Sequence, residues 1–464
     1  MKILFVYLNA TRQEYIPLGV AYLSAALKKA GHQTCLHDGT FVSIKKLPQT
    51  VTGEQPDLIA FSIRSPEALQ ARKAIAVLKR HTDIPIIVGG VHPTVSPLEV
   101  LNWEGVAAVC VGEGEEAFVH LCNNWGKETL YATPNFYFVR DGKPVKNPCL
   151  LPQHIDALPF PDRELFHIDK YLEARDGRLD IISGRGCPFN CTYCINHIVK
   201  NIITDKTDYV RVRKPENIIR EIKEVAARHE VRSLEFVNDI FTLSESWLAA
   251  FTTLYRKEIH LPFVCNARVE LMTPEIASLL KEAGCTEVQM GIESGSERIR
   301  REVLGRRMSN AVIKEAFATV RAAGMKTYAF NMVGLPEEGF AELRASIELN
   351  RQIKADAMQV SVFQPYPGTK LREIAIARGW ISARRLPLSH KSFSIMRYPG
   401  WGAWRIRLAK LGFRFFSLLP DHPRRALSAL FVDILADYYN MIRGIFSPKL
   451  KKYIYRFYAH TGKN

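Results

Sequence analysis

GRGCPFNCTYCINH, residues 184–197, holds Cys187, Cys191 and Cys194 on one short loop, spaced four and then three positions apart. No other cysteines in the chain stand so close together. The residues leading in, DIISGRG, read as a strand, and Gly186, Pro188 and Asn190 break regular structure just beyond it. The thiols therefore sit where a strand hands over to an irregular loop. Downstream, SLEFVNDIFT, FVCNARVE, EVQMGIESGS, KTYAFNMVGLPEE and AMQVSVFQPYPGT read as five more strands separated by helices. One of those helices, TPEIASLLKEAG, has Thr273 at its N-cap, Pro274 at its first turn and Gly284 past its end. Six strand–helix units predict a partial (β/α)6 barrel of TIM type over residues 176–385. In such a barrel functional side chains stand at the carboxyl ends of the strands. Here those are Asn238, Asp239, Asn266, Arg268, Glu293, Ser294, Asn331 and Gln364.

The first third has its own strand–helix alternation. KILFVYL is a continuous apolar run, suited to a strand covered on both faces. QTCLHD, DLIAFSI, IPIIVGG and GVAAVCV follow as strands, with helical periodicity between them, for example in VAYLSAALKKAG and across 68–81. This predicts an α/β, doubly wound (Rossmann-like) domain over residues 1–140, which binds ligands beyond the carboxyl ends of its strands. Those ends carry Ser62, Gly89, Gly90, His92, Gly112 and Glu113. The Pro-rich, aperiodic stretch 141–175 reads as a linker.

Composition limits the setting. The 464 residues are 47% apolar and 24% charged, the balance of a globular protein of two or three domains. The opening apolar stretch 3–8 is too short for a signal peptide. Nine cysteines, mostly scattered, predict reduced thiols in the cytoplasm, with Cys35, Cys110, Cys122, Cys149, Cys265 and Cys285 as small buried hydrophobes. Of the net charge of +16, the last 74 residues carry +11, from fourteen Lys or Arg against three Asp. Together with the five residues before them these form 386–464, which predicts a basic helical C-terminal segment. Phe431, Ile434, Leu435, Tyr438, Ile442, Ile445 and Phe446 share one helical face, and Trp401, Trp404, Phe413, Phe415 and Phe416 lie nearby. A packed helical cap and a peripheral membrane contact on the inner face of the membrane are both open readings; nucleic-acid binding is a third, which no recognised module supports.

Four readings fit the three thiols: zinc with His197 as a fourth ligand, a redox pair of Cys191 and Cys194, thiols buried in a core, and an iron–sulfur cluster. The Cys-x-x-x-Cys-x-x-Cys spacing, with Tyr193 before the last cysteine, resembles the radical S-adenosylmethionine (SAM) superfamily. GGVHPT and VGEGEE resemble the cobalamin-binding domain fused to some of its members, and GLPEE and PYPGT recur in that cobalamin-dependent branch. The likeness covers about residues 1 to 380. It implies a 4Fe–4S cluster on Cys187, Cys191 and Cys194 whose open iron takes SAM. Tyr193 would lie near the adenine, Asn238 near the SAM amino group, and Glu293 and Ser294 in the SAM site. Asn238 departs from the paired acids common there.

Ser62, Gly89, Gly90, His92, Gly112 and Glu113 would then contact cobalamin. The first loop, NATRQEYIPLG, has no histidine, so cobalt would carry no protein imidazole. The implied activity is methyl transfer to an unactivated carbon of a small-molecule or lipid-like substrate. One SAM would supply the methyl group through cobalt, and a second would supply a radical that removes hydrogen. An electron donor such as flavodoxin or ferredoxin would serve the cluster. A cobalamin-dependent radical cyclase or rearrangement enzyme, and a cobalamin-binding Fe–S regulator without enzymatic activity, are the alternatives.

Overall fold

The computed structural model describes residues 1–9, 13–204, 209–387, 393–397, 402–419 and 422–441, with backbone alone at 432 and 436–441. Trp401, Tyr438 and the expected apolar positions from Ile442 onward lie outside the described side chains.

Two sheets organise the chain. The first contains β1 (Lys2–Tyr7), β2 (Gln33–Asp38), β3 (Leu58–Ser62), β4 (Ile86–Gly89), β5 (Val106–Cys110), β6 (Phe136–Arg140) and β7 (Lys143–Lys146). Its spatial order is β2-β1-β3-β4-β5-β6-β7. The first five strands are parallel, with Phe5 opposite both Leu36 and Ala60. Every residue of β1 after Lys2 is buried, because helices cover both faces. The strands β6 and β7 add antiparallel, Val109 facing Tyr137 and Phe138 facing Val145. So 141–175, read as a linker, contains an edge strand of the first sheet and a helix, Ile168–Ala174.

The second sheet follows from β8 (Arg178–Ile181). A two-residue ribbon, β9 (Gly184–Arg185) with β10 (Arg211–Val212), interrupts before β11 (Ser233–Phe236), β12 (Phe263–Ala267), β13 (Cys285–Glu293), β14 (Lys326–Val333) and β15 (Ala357–Val362). All six large strands are parallel in the order β15-β14-β13-β12-β11-β8, an open half-barrel. Thr273 caps its helix as expected, accepting from Ile276 N at 3.2 Å. Burial alternates along β13 and β14. Val288, Met290, Ile292, Ala329 and Val333 pack in one core with Ile313 and Phe317 of the outer helix Asn310–Ala322. Gln289, Tyr328, Phe330 and Met332 alternate with them on the inner face and are only half-buried.

The carboxyl edges of the two sheets meet. Gly368, beyond β15, packs between Ile198 of the cysteine-loop helix Asn196–Ile202 and Val95, beyond β4. The core under β1, β3 and β4 runs on into Cys149, Ile203 and Tyr209.

Candidate functional site

The cysteine loop is fixed at its root by Asn238, just past β11. Its side-chain oxygen accepts from Ser183 N at 2.9 Å, and its amide donates to Gly184 O at 3.2 Å. Asn266 holds the Asn238 carbonyl at 2.9 Å. Asn238 is buried, with both ends of its side-chain amide held to the root of the loop. The neighbouring Asp239 faces the thiols instead. Burial raises the pKa of Asp239, and its charge adds to burial in raising those of Cys187 and Cys194.

Cys187 and Cys191 are buried and Cys194 half-buried. Burial pushes Cys187 up to about 11, with the Cys194 and Cys191 sulfurs adding to the rise. Side-chain donors reach two of the sulfurs, Arg268 Nη1 to Cys191 at 3.6 Å and Asn196 Nδ2 to Cys194 at 3.5 Å. The Arg268 guanidinium also lies 3.7 Å from the centre of the Phe189 ring and pairs with Glu270. Arg268 thus makes the ion pair of the structural reading and also touches the thiol loop. His197 turns Nδ1 to Cys191 O at 3.1 Å rather than joining the thiols. Among the described residues no three His, Cys, Asp or Glu side chains converge on one ion.

At the end of β13 the pairing shifts between Gly291 and Glu293, and Glu293 takes a positive φ of 68°. A left-handed non-glycine residue is a strained feature of the kind concentrated at functional sites. Its carboxylate accepts from Tyr193 OH at 3.3 Å and from Arg306 Nη1 at 3.0 Å, and Arg306 also donates to Tyr193 OH at 3.1 Å. Burial raises the pKa of Glu293, and the Arg306 charge only partly opposes it. Arg306 carried no motif in the sequence. It returns to Glu293 through a π-helical turn, Ile299–Val303, which buries Arg300 completely. Arg300 donates to Ser294 O and to Asn310 Oδ1, the latter at 2.7 Å, and so fixes the loop after Glu293. Ser294 is buried, its hydroxyl accepting from Ser296 N at 3.3 Å. Beyond β14, Glu338 closes the GLPEE motif, which by itself assigns it no role. Its Oε2 accepts from Gly334 N at 2.6 Å and Leu335 N at 3.2 Å, its Oε1 is buried without a partner, and burial lifts its pKa to about 8.

Ser62, Gly89, Gly90 and Gly112 do gather at the carboxyl edge of the first sheet. Gly90 (φ +101°) and Gly112 (φ +81°) are obligatory: a Cβ would stand 2.7 Å from Ile63 O in one case and 2.7 Å from Cys149 Sγ in the other. The other two expected corrin contacts already have protein partners. His92 is fully buried, Nδ1 bonded to Ser65 Oγ at 3.1 Å and Nε2 to Glu99 at 3.0 Å, so its ring is a structural post. Glu113 is spent on two guanidiniums, Arg185 at 2.6 Å and Arg211. Arg185 also pairs with Glu115 at 2.7 Å. Burial works against the Glu113 carboxylate, but the two arginines outweigh it and its pKa falls below the ordinary range. This clasp ties the end of β5 to the ribbon that opens the cysteine loop. Of the expected strand-end polar residues, Asn331 pairs with Asn350 and Gln364 donates to Phe393 O, at 2.8 and 3.0 Å. Cys265 is buried with its sulfur 4.0 Å from that of Cys285, while Cys35 and Cys110 are half-buried rather than enclosed.

Known proteins match this arrangement. Residues 6–122 match the B12 binding domain, and residues 181–349 match the Radical SAM superfamily. An uncharacterised methyltransferase of Pyrococcus horikoshii is 28% identical over 372 residues, spanning 78% of this chain and 78% of that protein. The anaerobic magnesium-protoporphyrin IX monomethyl ester cyclase of Rubrivivax gelatinosus is 24% identical, over 80% of this chain and 69% of that one. The radical SAM methyltransferase TsrM of Kitasatospora setae, solved with cobalamin and its 4Fe–4S cluster bound, has the same fold. It superposes with a TM-score of 0.68 at 19% identity, over 82% of this chain and 79% of that one.

Proposed function

We propose that this chain, an enzyme that joins a B12-binding domain to a radical SAM domain, is a methyltransferase acting on an unactivated carbon of a small or lipid-like molecule. Its cofactors are a 4Fe–4S cluster, SAM and cobalamin. When bound, the cluster and SAM supply a carbon-centred radical, and cobalamin supplies a methyl group.

The residues suit these groups. Cys187, Cys191 and Cys194 would hold the cluster, and Arg268 and Asn196 would favour two of the thiolates by donating to their sulfurs. Tyr193, Glu293 and Ser294 would border SAM, with Asp239 rather than Asn238 receiving its amino group. Ser62, Gly89, Gly90 and Gly112 would border the corrin, where the glycines bring bare backbone to the surface. Residues 9–19 hold no histidine and His92 is already engaged, which favours cobalt without a protein imidazole. Gln289, Tyr328 and Phe330 on the inner face of the half-barrel would line the substrate space. A flavodoxin- or ferredoxin-type donor would reduce the cluster, and we place the enzyme in the cytoplasm.

The single observation that carries this reading is the meeting of the two carboxyl edges, which puts the thiol loop against the glycine-lined end of the first sheet. A radical reagent and a methyl donor can then address one substrate, the proximity that the reaction needs. Anaerobic turnover with methyl-labelled SAM tests it. Labelled product should appear with S-adenosylhomocysteine and 5′-deoxyadenosine in about equal amounts, and replacing all three cysteines with Ala should abolish both. Formation of 5′-deoxyadenosine without S-adenosylhomocysteine would remove methylation. It would leave radical cyclisation or rearrangement, the second reading, which the Rubrivivax cyclase favours.

A further inference from the structure

Large apolar side chains are exposed singly over most of the molecule, but on helices Ala403–Leu418 and Pro423–Met441 they fall in rows. On the first, Trp404, Leu408 and Phe416 recur at multiples of four, followed by Leu419. On the second, Leu427, Phe431 and Ile434 stand at i, i+4 and i+7. These are not marginal exposures: Trp404 is 62% exposed, Leu408 57%, Leu427 61% and Phe431 58%. The opposite sides of the same helices, Ile406 and Phe413 on one and Ala426 and Ala429 on the other, are buried. Each helix is thus apolar on both sides, whereas a surface helix in water shows its polar side outward. The Arg414–Asp433 ion pair, 3.1 Å long and largely buried, ties the two helices together.

Charge accompanies the rows. Arg405, Arg407, Lys410, Arg424 and Arg425 belong to these helices, and residues 442–464 add six Lys or Arg and no acidic residue. We propose that the two helices dock on the surface of an anionic lipid membrane, the apolar rows entering to interfacial depth and the basic residues meeting the headgroups. Among the described residues no helix is long and apolar enough to cross a membrane, so the helices lie along the surface. Charge selects this occupant over two others. A second copy would set one +11 region against another, and residues 442–464 are themselves basic. The proposal rests on this surface alone and stands or falls independently of methyl transfer.

Cosedimentation of the full-length protein with vesicles tests it. Vesicles of phosphatidylglycerol mixed with phosphatidylcholine should bind the protein at low salt, and binding should fall at least about tenfold at high salt as the headgroup charge is screened. Phosphatidylcholine alone should bind it far less. The double variant Leu408→Asp, Phe431→Asp should lose binding about tenfold or more per site, the order expected for withdrawing one large apolar side chain. Both positions are exposed and outside the site, so SAM cleavage and melting temperature should not change. No binding at low salt, full binding by the double variant, or equal binding to neutral vesicles overturns the proposal. A wild-type dimer that the double variant dissolves would assign the rows to a second copy. A fall in melting temperature of the variant would assign them to the chain's own residues 442–464.

Discussion

Glu113→Gln removes the charge at the centre of the clasp between the two sheets while keeping the side chain's shape. Glu113 is 20% exposed and Arg211 only 5%, so solvent replaces little of what is lost. Arg185 retains Glu115 and Arg211 retains Pro152 O at 2.6 Å, which places the cost at the low end of the range for breaking a buried pair, about 3 kcal/mol. The pH dependence follows from the depressed pKa of Glu113, where the two arginines overcome burial. A carboxylate held below its unfolded pKa stabilises the fold above that value and loses the contribution as pH falls through the folded one. Chemical denaturation followed by circular dichroism should therefore show the variant about 3 kcal/mol less stable at neutral pH. The gap should close on acidification below the ordinary carboxylate range. A second readout is the product ratio. With the end of β5 held to the cysteine loop only through Arg185 and Glu115, 5′-deoxyadenosine should form in excess of S-adenosylhomocysteine. A variant as stable as wild type at neutral pH, or a gap undiminished in acid, would refute the reasoning.

Three further outcomes are expected. Glu338→Gln should gain stability over wild type as pH rises from about 4.5 towards 8, because burial raises the folded pKa of Glu338 and ionising it costs a few kcal/mol; urea titrations at pH 6 and pH 9 check the sign. Arg268→Gln should retain the cluster but shift its midpoint to more negative potential by on the order of 50 mV, since a cationic donor to Cys191 is lost; a redox titration followed by electron paramagnetic resonance measures it. His92→Phe should cost about 1–3 kcal/mol, because Ser65 loses its partner and Glu99 keeps only Trp103, yet leave the cob(II)alamin resonance unchanged; new or lost nitrogen splitting would contradict the structural role.

Most of the scaffold is legible in the sequence because its strands are buried on one or both faces. KILFVYL and EVQMGIE announce themselves by run and by alternation. The strand Lys143–Lys146 does not, since it pairs through its backbone at an edge and buries almost nothing. The thiol loop is legible because its ligands lie within eight residues of each other. The group around Glu293 is not, because Tyr193 and Arg306 reach it from 100 residues before and thirteen after. Strand-end position also fails to tell a waiting polar group from a satisfied one. His92, Asn238 and Glu113 stand where ligand contacts are expected, but their partners come from segments with no local signal, Glu99, Ser183 and Arg211 among them.

The two faces of β13 and β14 have a consequence for how this molecule can change. Val288, Met290, Ile292 and Ala329 grip the outer helices, and substitution there opens cavities in a close-packed core at a cost of several kcal/mol. Gln289, Tyr328 and Phe330 project from the intervening positions and carry little of that packing. With the inner positions lining the substrate space as proposed, stability and selectivity would be written on alternate letters of the same strands. A library confined to the inner letters could be searched broadly for new acceptors while the fold stays intact, and the same separation lets natural drift retune the acceptor without passing through unfolded intermediates.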